Sequence, residues 1–316
     1  MRIAMLQEKE KTIDVIIPVY KPGKEFQELL RRLLKQTISP ENIFIIQTLT
    51  QGEMQLQFEE EKIQVYTVKQ AEFDHGKTRD FGAGLSEAAY ILMMTQDAMP
   101  ENEFLLEELL KGFEQENVGI VYGRQLARKD ADITEKLTRL YNYPPESSLK
   151  KRADEEKLGI KTYFCSDVCA MYDRKLYGEL GGFVHPVIFN EDMIMAYRVI
   201  HAGYGVYYAA QAQVVHSHAY TCMQQFRRNF DLGVSQCQYS EVFDNISSEK
   251  EGAGFAGKTI LTLCKGFHFG KAFHFAWQCA FRLAGYRLGK NYEKLSPKMI
   301  LRCTMSPWFW KDLEES

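Results

Sequence analysis

Along the first 125 residues the apolar positions switch repeatedly between continuous runs and a period near 3.6. Ile13-Asp14-Val15-Ile16-Ile17-Pro18-Val19-Tyr20 is a β-branched run closed by a proline, which predicts a buried strand ending in a turn. From Lys24 to Lys35 the apolar residues Phe26, Leu29, Leu30, Leu33 and Leu34 follow the helical period instead. The alternation continues with strands at Asn42–Gln47 and Lys62–Val68, a helix from Thr78 to Ala89, a strand at Tyr90–Thr95, a helix at Asn102–Phe113 and a strand at Val118–Tyr122. Such a succession predicts a parallel sheet with helical crossovers, a doubly wound α/β domain.

Beyond it, Ala127–Thr162 is rich in charge, contains Pro144-Pro145 and lacks a strong apolar period. It reads as a mobile excursion suited to an acceptor-side element or lid. A short strand at Ser166–Tyr172, the turn Leu180-Gly181-Gly182-Phe183, a helix at Glu191–Ala202 and two strands, Gly205–Tyr208 and Gln213–His216, restore the pattern. From Tyr220 onward the composition turns helical. The expected organisation is a catalytic domain over residues 1–220 and a helical region over 221–316.

Charge sharpens that division. Between residues 255 and 310 nine Lys or Arg face one acid, Glu293, for a net +8, so the rest of a chain of net −3 carries −11. The seven cysteines, without paired C-x-x-C spacing, argue against a disulfide framework or a structural zinc site and point to reduced thiols in the cytoplasm. Residues 1–12 carry Arg2, Glu8, Lys9, Glu10 and Lys11 and no apolar core, so no secretory leader is expected. No apolar stretch is long enough to span a bilayer.

Ligands of an open parallel sheet sit beyond the carboxyl ends of its strands. That rule singles out Pro18-Val19-Tyr20, Gln96-Asp97, Gly123-Arg124-Gln125 and His216-Ser217-His218. Asp97, a lone acid between Ile91–Met94 and Ala98-Met99-Pro100, reads either as a helix N-cap or as a hard oxygen ligand for Mg2+ or Mn2+ at a diphosphate. His216 and His218 project together if the strand continues, which suits a second metal ligand and a diphosphate donor; a structural role is the alternative. Glu191-Asp192 offers a general base, or a complement to a helix dipole. Phe73 to Asp80 gathers His75, Lys77 and Arg79 around Gly76 at a helix start, where Arg79 either grips a phosphate or pairs with an acid.

Taken in order, these residues give the chain a resemblance to family 2 glycosyltransferases of the GT-A fold, and to their bacterial rhamnosyltransferase branch. The matching pieces are Ile16–Tyr20, Phe73–Arg79, Thr95–Ala98, Tyr122–Gln125, Leu180–Phe183, Asn190–Asp192 and His216–His218; the second and third favour the branch. The resemblance implies a GT-A (Rossmann-like), mostly parallel central sheet flanked by helices, with a C-terminal helical extension. It also implies an inverting single displacement that moves L-rhamnose from dTDP-L-rhamnose to a saccharide or lipid-linked saccharide in cell-surface polysaccharide synthesis. Asp192 then matches the catalytic base and Asp97 with His216 the holders of Mg2+ or Mn2+. Pro18, Val19, Tyr20, Arg79, Gln96, Asp97, Arg124 and His218 fall at the donor.

The chain departs from the family pattern at two places. Thr95 and Gln96 stand where many members carry Asp, and Gln47-Thr48-Leu49-Thr50 lacks the acid that usually reads the pyrimidine. Thymidine over uridine is therefore implied by the branch alone. A UDP-hexose or UDP-galactofuranose donor is the nearest alternative, a non-catalytic nucleotide-sugar-binding module the more distant one. No nucleic-acid partner is expected. Phe267, Phe269, Phe273, Phe275, Trp277 and Phe281 lie among the basic residues of the C-terminal region. This composition suits helices lying on an anionic membrane, or a helical hairpin packed on the catalytic domain. The expected location is cytoplasmic, peripheral at the inner face of the cell membrane.

Overall fold

The computed structural model describes residues 11–218, 220–243 and 248–313. The first ten residues, on which the expectation about a leader rests, lie outside this range. The strands are β1 (Ile13–Val19), β2 (Asn42–Leu49), β3 (Ile63–Lys69), β4 (Tyr90–Met94), β5 (Met99–Pro100), β6 (Val118–Leu126), β7 (Ser148–Lys150), β8 (Cys169–Asp173) and β9 (Gly205–Val215). The helices are α1 (Glu25–Leu34), α2 (His75–Gly84), α3 (Leu105–Gly112), α4 (Ile133–Asn142), α5 (Glu155–Leu158), α6 (Arg174–Glu179), α7 (Glu191–His201), α8 (Cys222–Gln238), α9 (Ser240–Phe243), α10 (Ser248–Lys265), α11 (Phe269–Gly289) and α12 (Pro297–Cys303).

All nine strands join one sheet in the order β3-β2-β1-β4-β8-β6-β9-β5, with β7 also beside β9. β1 pairs in parallel with β2 and β4, β2 with β3, and β6 with β9. β8 runs antiparallel to both its neighbours, β4 and β6. The chain leaves β1 toward β2 and β3, then returns to β4 on the other side. This reversal opens a crevice at the carboxyl ends of β1 and β4.

The sheet is buried on both faces, as its apolar runs require. Val15, Ile17, Ile43, Ile45, Leu92 and Met94 pack with the apolar faces of α1 and α3, through Leu29, Leu33, Leu105 and Leu109. Asp14 is the polar exception in β1. Its carboxylate accepts from Asn42 N–H at 3.0 Å and from the Ser86 hydroxyl at 2.6 Å, which satisfies the buried charge.

Several elements differ from expectation for local reasons. α2 begins at His75 rather than Thr78 because Asp74 caps it, accepting from Lys77 N–H at 2.8 Å. It also ends earlier, at Gly84. The two strands expected over Gly205–His216 are one strand, β9, whose register against β6 jumps from Gly123↔Ala209 to Arg124↔Gln213. Gly123 is needed there, since a Cβ would sit 2.8 Å from the Ala212 carbonyl oxygen. The stretch Ala127–Thr162 contains α4, β7 and α5 rather than an unstructured excursion. All seven cysteines are free thiols.

The chain divides into two compact units, the first over residues 11–128, 143–186 and 191–216, the second over 129–142, 187–190 and the described residues from 217. In the second unit α8 and α11 meet at backbone distance, because Gly285 and Gly289 face the Phe226 and Phe230 carbonyls with no room for a Cβ. α4 packs with the α10–α11 hairpin through Ile133, Leu137, Leu263 and Phe275. Among the described residues no helix is long and apolar enough to cross a membrane.

Candidate active site

Two side-chain clusters form at the carboxyl edge of the first unit. The first lies where β1 and β4 end. The Gln96 amide pairs twice with the Tyr20 main chain, accepting from its N–H at 2.7 Å and donating to its carbonyl at 3.0 Å, and so ties the two strand ends together. Val19 is buried in the core, so only its main chain faces the crevice region, whereas Tyr20 is exposed and its hydroxyl accepts from Gln70 at 3.3 Å.

Asp97 follows Gln96 with an exposed carboxylate, and its Oδ2 lies 3.5 Å from His216 Nε2. It caps no helix: α3 begins only at Leu105, after the short strand β5. β9 stops at Val215, but His216 N–H still donates to the Leu126 carbonyl at 2.9 Å, which fixes the residue at the sheet end. The His216 ring is buried and its Nδ1 meets Gln125 Oε1 at 2.9 Å. Gln125 in turn donates from Nε2 to the Tyr143 hydroxyl at 2.6 Å and to the Ser166 hydroxyl at 3.0 Å. The Gln125 oxygen therefore faces the ring, which places the proton of that contact on Nδ1 and leaves Nε2 facing Asp97. A lone pair and a carboxylate at this distance repel unless a proton or a cation lies between them. The donor set thus fits a divalent cation held by few protein groups, with Gln125 orienting the histidine ligand.

His218 lies in the second unit, where its N–H donates to Glu135 Oε1 at 3.2 Å and its ring stacks on Tyr220. Arg124 is half-buried and donates from Nε to the Tyr143 carbonyl at 3.2 Å.

The second cluster centres on the start of α7. Asp192 Oδ1 accepts from Met193 N–H at 2.7 Å and Oδ2 accepts from Asp167 N–H at 3.2 Å, so both oxygens are oriented by main chain. Glu191 is buried beside it and pairs with Arg79 Nη1 at 3.1 Å, while Arg79 Nε faces Asp167 Oδ2 at 3.4 Å. Arg79 thus pairs with acids in this structure. His75 Nδ1 is 3.9 Å from Glu191, and the Tyr172 hydroxyl donates to Asp167 Oδ1 at 2.5 Å. One guanidinium thus faces three carboxyl groups. Burial, reinforced by the Glu191 charge, pushes the Asp192 carboxyl up to about 7 against the pull of its hydrogen bonds and Arg79. Burial likewise raises Asp167 well above the usual carboxylate range.

The two clusters share one short segment. Ser166 accepts from Gln125, Asp167 N–H donates to Asp192, and the Val168 carbonyl accepts from Thr95 N–H at 3.3 Å. Because β8 runs antiparallel to β4 and β6, the residues before it, not after it, lie at the carboxyl edge of its neighbours. A search of strand exits alone passes over Asp167 for that reason. The available signal is an acid directly ahead of the apolar run Val168–Tyr172.

Residues 14–181 match the family described as Glycosyl transferase family 2. The chain is 34% identical over 307 residues to the O-antigen chain rhamnosyltransferase RfbN of Salmonella typhimurium, covering 96% of this chain and 98% of that protein. It is also 34% identical over 305 residues to the O-antigen chain rhamnosyltransferase WbaN of Salmonella anatum, covering 96% of each. Among solved structures, a mannosyltransferase from Pyrobaculum calidifontis in complex with GDP-Man and Mn2+ is similar, with a TM-score of 0.52 and 14% identity over 94% of this chain and 84% of that one. At that identity the likeness speaks to the fold alone.

Proposed function

The chain belongs to glycosyl transferase family 2, and from that premise we propose that it is an inverting transferase moving L-rhamnose from dTDP-L-rhamnose to a saccharide or lipid-linked saccharide during cell-surface polysaccharide synthesis. The observation that carries the chemistry is Asp192, a carboxylate near neutral pKa with both oxygens oriented by main-chain N–H groups. A base with these properties is matched to taking a proton from a hydroxyl at physiological pH.

In the proposed step the acceptor hydroxyl oxygen forms a bond to the anomeric carbon of the donor sugar. The bond from that carbon to the diphosphate oxygen breaks, the nucleoside diphosphate departs with the electron pair, and the hydroxyl proton passes to Asp192. Asp97 and His216 would hold Mg2+ or Mn2+; such an ion, when bound, neutralises charge on the diphosphate. The Pro18–Tyr20 main chain, Gln96 and Arg124 serve the donor in this account. His218 joins them because two residues of chain from His216 reach at most about 7 Å. Arg79 acts on the base side, as the charge that keeps three neighbouring carboxyl groups tolerable.

We further infer that residues 1–220 bind donor and carry out transfer, while residues 221–316 serve the acceptor and bring the protein to the anionic inner face of the cell membrane. The excess of nine basic residues over one acid between 255 and 310 supports that association, which predicts vesicle binding that weakens with salt.

The test of the donor assignment is a thermal-shift screen with dTDP-L-rhamnose, UDP-glucose, UDP-galactose and GDP-mannose, each with and without Mg2+ or Mn2+. Metal-dependent stabilisation by the dTDP sugar is expected, reaching about 2.7 kcal/mol at about 100-fold excess over its dissociation constant. Preference for a UDP or GDP sugar overturns the assignment of rhamnose.

A further inference from the structure

In the second unit α10 and α11 form a hairpin whose inner face packs through Leu263, Ala272 and Phe275. Its tip presents the opposite kind of surface. Phe267 is 82% exposed, Phe273 75%, Phe269 60% and Trp277 55%. Phe269, Phe273 and Trp277 are spaced by four and form one stripe along the first turns of α11, prolonged by exposed Ala280 and Ala284.

Phe267 itself has φ +59°, the left-handed conformation that the residue after a helix adopts and that glycine ordinarily fills. Glycine sits one place earlier, at 266. The turn therefore holds a β-carbon in a conformation unfavourable for it while leaving the ring in solvent. Local geometry disfavours a side chain there, and the one ring it meets is Phe269, edge-to-face at 6.2 Å and itself largely exposed. A contiguous aromatic surface of this kind marks an interaction site.

Charge indicates the partner. From Gly252 to Tyr292 there is no acidic residue, and six are Lys or Arg. Lys265 is exposed beside the tip; Lys258, also exposed, lies two turns earlier on α10 with its ammonium 5.7 Å from the Tyr141 ring, and Lys271 is held by Asp132, just ahead of α4, at 2.5 Å. Exposed aromatic residues with lysines on the same hairpin match the apolar interior and anionic headgroups of a bilayer. Phe269 to Trp277 spans about 12 Å of helix, comparable to the burial depth of about 5–10 Å reached by interfacial helices.

We propose that the α10–α11 tip is a wedge that enters an anionic lipid bilayer. Phe267, Phe269 and Phe273 lie below the headgroups, Trp277 lies at their level, and Lys258 and Lys265 contact lipid phosphates. This rests on the membrane-surface association inferred above and narrows it to one element.

The test uses full-length protein and vesicles of phosphatidylcholine and phosphatidylglycerol in equal parts, read by co-sedimentation. Phe267→Gly suits the left-handed turn, so its melting temperature should equal or exceed that of the wild type while vesicle partitioning falls about tenfold. Adding Phe269→Ser and Phe273→Ser should lower partitioning about a further hundredfold. Lipids brominated on the acyl chain should quench wild-type tryptophan fluorescence, and Trp277→Phe should remove most of that quenching. If the wild type binds but the Phe variants bind equally, the wedge is wrong and surface charge alone carries the association. If the wild type binds no anionic vesicle, both inferences fail. Self-association that the Phe variants abolish, without vesicle binding, would assign the tip to a second copy of the chain and overturn the proposal.

Discussion

Replacing Asp192 by Asn removes a charge at nearly constant shape, and its consequences for stability oppose one another. In the wild type burial and Glu191 push this carboxyl up to about 7, whereas in the unfolded chain it titrates near its ordinary value of about 3.9. The folded value is the higher one, so the folded protein keeps a proton that the unfolded chain has lost. Stability therefore falls as pH rises from about 4 to about 7 and levels off above, by up to about 4 kcal/mol. Burial raises the neighbouring Asp167 carboxyl as well, and the mutual repulsion of the two charges broadens the transition. Asn lacks this slope. Against that gain, its NH2 must face either Asp167 N–H or Met193 N–H, a donor against a donor, at a cost of about 1–3 kcal/mol. The variant should be the less stable protein near pH 5 and should match or exceed the wild type near pH 8. Urea denaturation of both proteins across that range measures the crossing. Donor turnover, with water in place of the acceptor, should fall about 10²- to 10⁴-fold throughout. Parallel stability curves, or turnover close to wild type, would refute the assignment of Asp192 as a buried base.

Asp97→Asn should abolish metal-dependent donor binding measured by calorimetry, while binding of the metal-free donor changes little. Gln125→Leu removes the partner that orients His216 and should weaken the apparent metal affinity about 10- to 100-fold, read from the metal dependence of the thermal shift. Gly285→Ala places a methyl group against the Phe226 carbonyl between α8 and α11 and should destabilise the protein by about 1–3 kcal/mol in urea. The rate at low donor concentration should rise with pH through an apparent pKa near 7, the sign expected when the deprotonated Asp192 is the active form.

β1 to β4, β6 and the crossovers between them are legible because these strands are largely apolar runs and α1 and α3 carry clear apolar stripes, whereas the two-residue β5 has no pattern to read. Strand direction was not legible. Nothing in the composition of Cys169–Asp173 distinguishes a reversed strand from a parallel one, and with that reversal goes the placement of Asp167. α4 is not evident in the sequence although Ile133, Leu137, Leu140 and Tyr141 keep helical spacing, because charges and the following Pro144-Pro145 dilute the pattern and none of these apolar residues is fully buried. At the site, Asp97 and His216 were accessible from strand ends. The role of Gln125 as the partner of His216 depends on a register jump at Gly123 that no periodicity encodes. Arg79 shows the limit of residue type alone. A cation at a helix start suits phosphate, and the acids that face it here come from the segment ahead of β8 and from α7, far away in the sequence.

The central claim, direct displacement at the anomeric carbon of a nucleotide sugar, is tested most directly by proton NMR of dTDP-L-rhamnose turning over on the wild-type protein with Mg2+ or Mn2+. The sugar first released or transferred should have the anomeric configuration opposite to the donor. Release with the donor's own configuration, or no turnover of this donor in the presence of metal, would contradict the account.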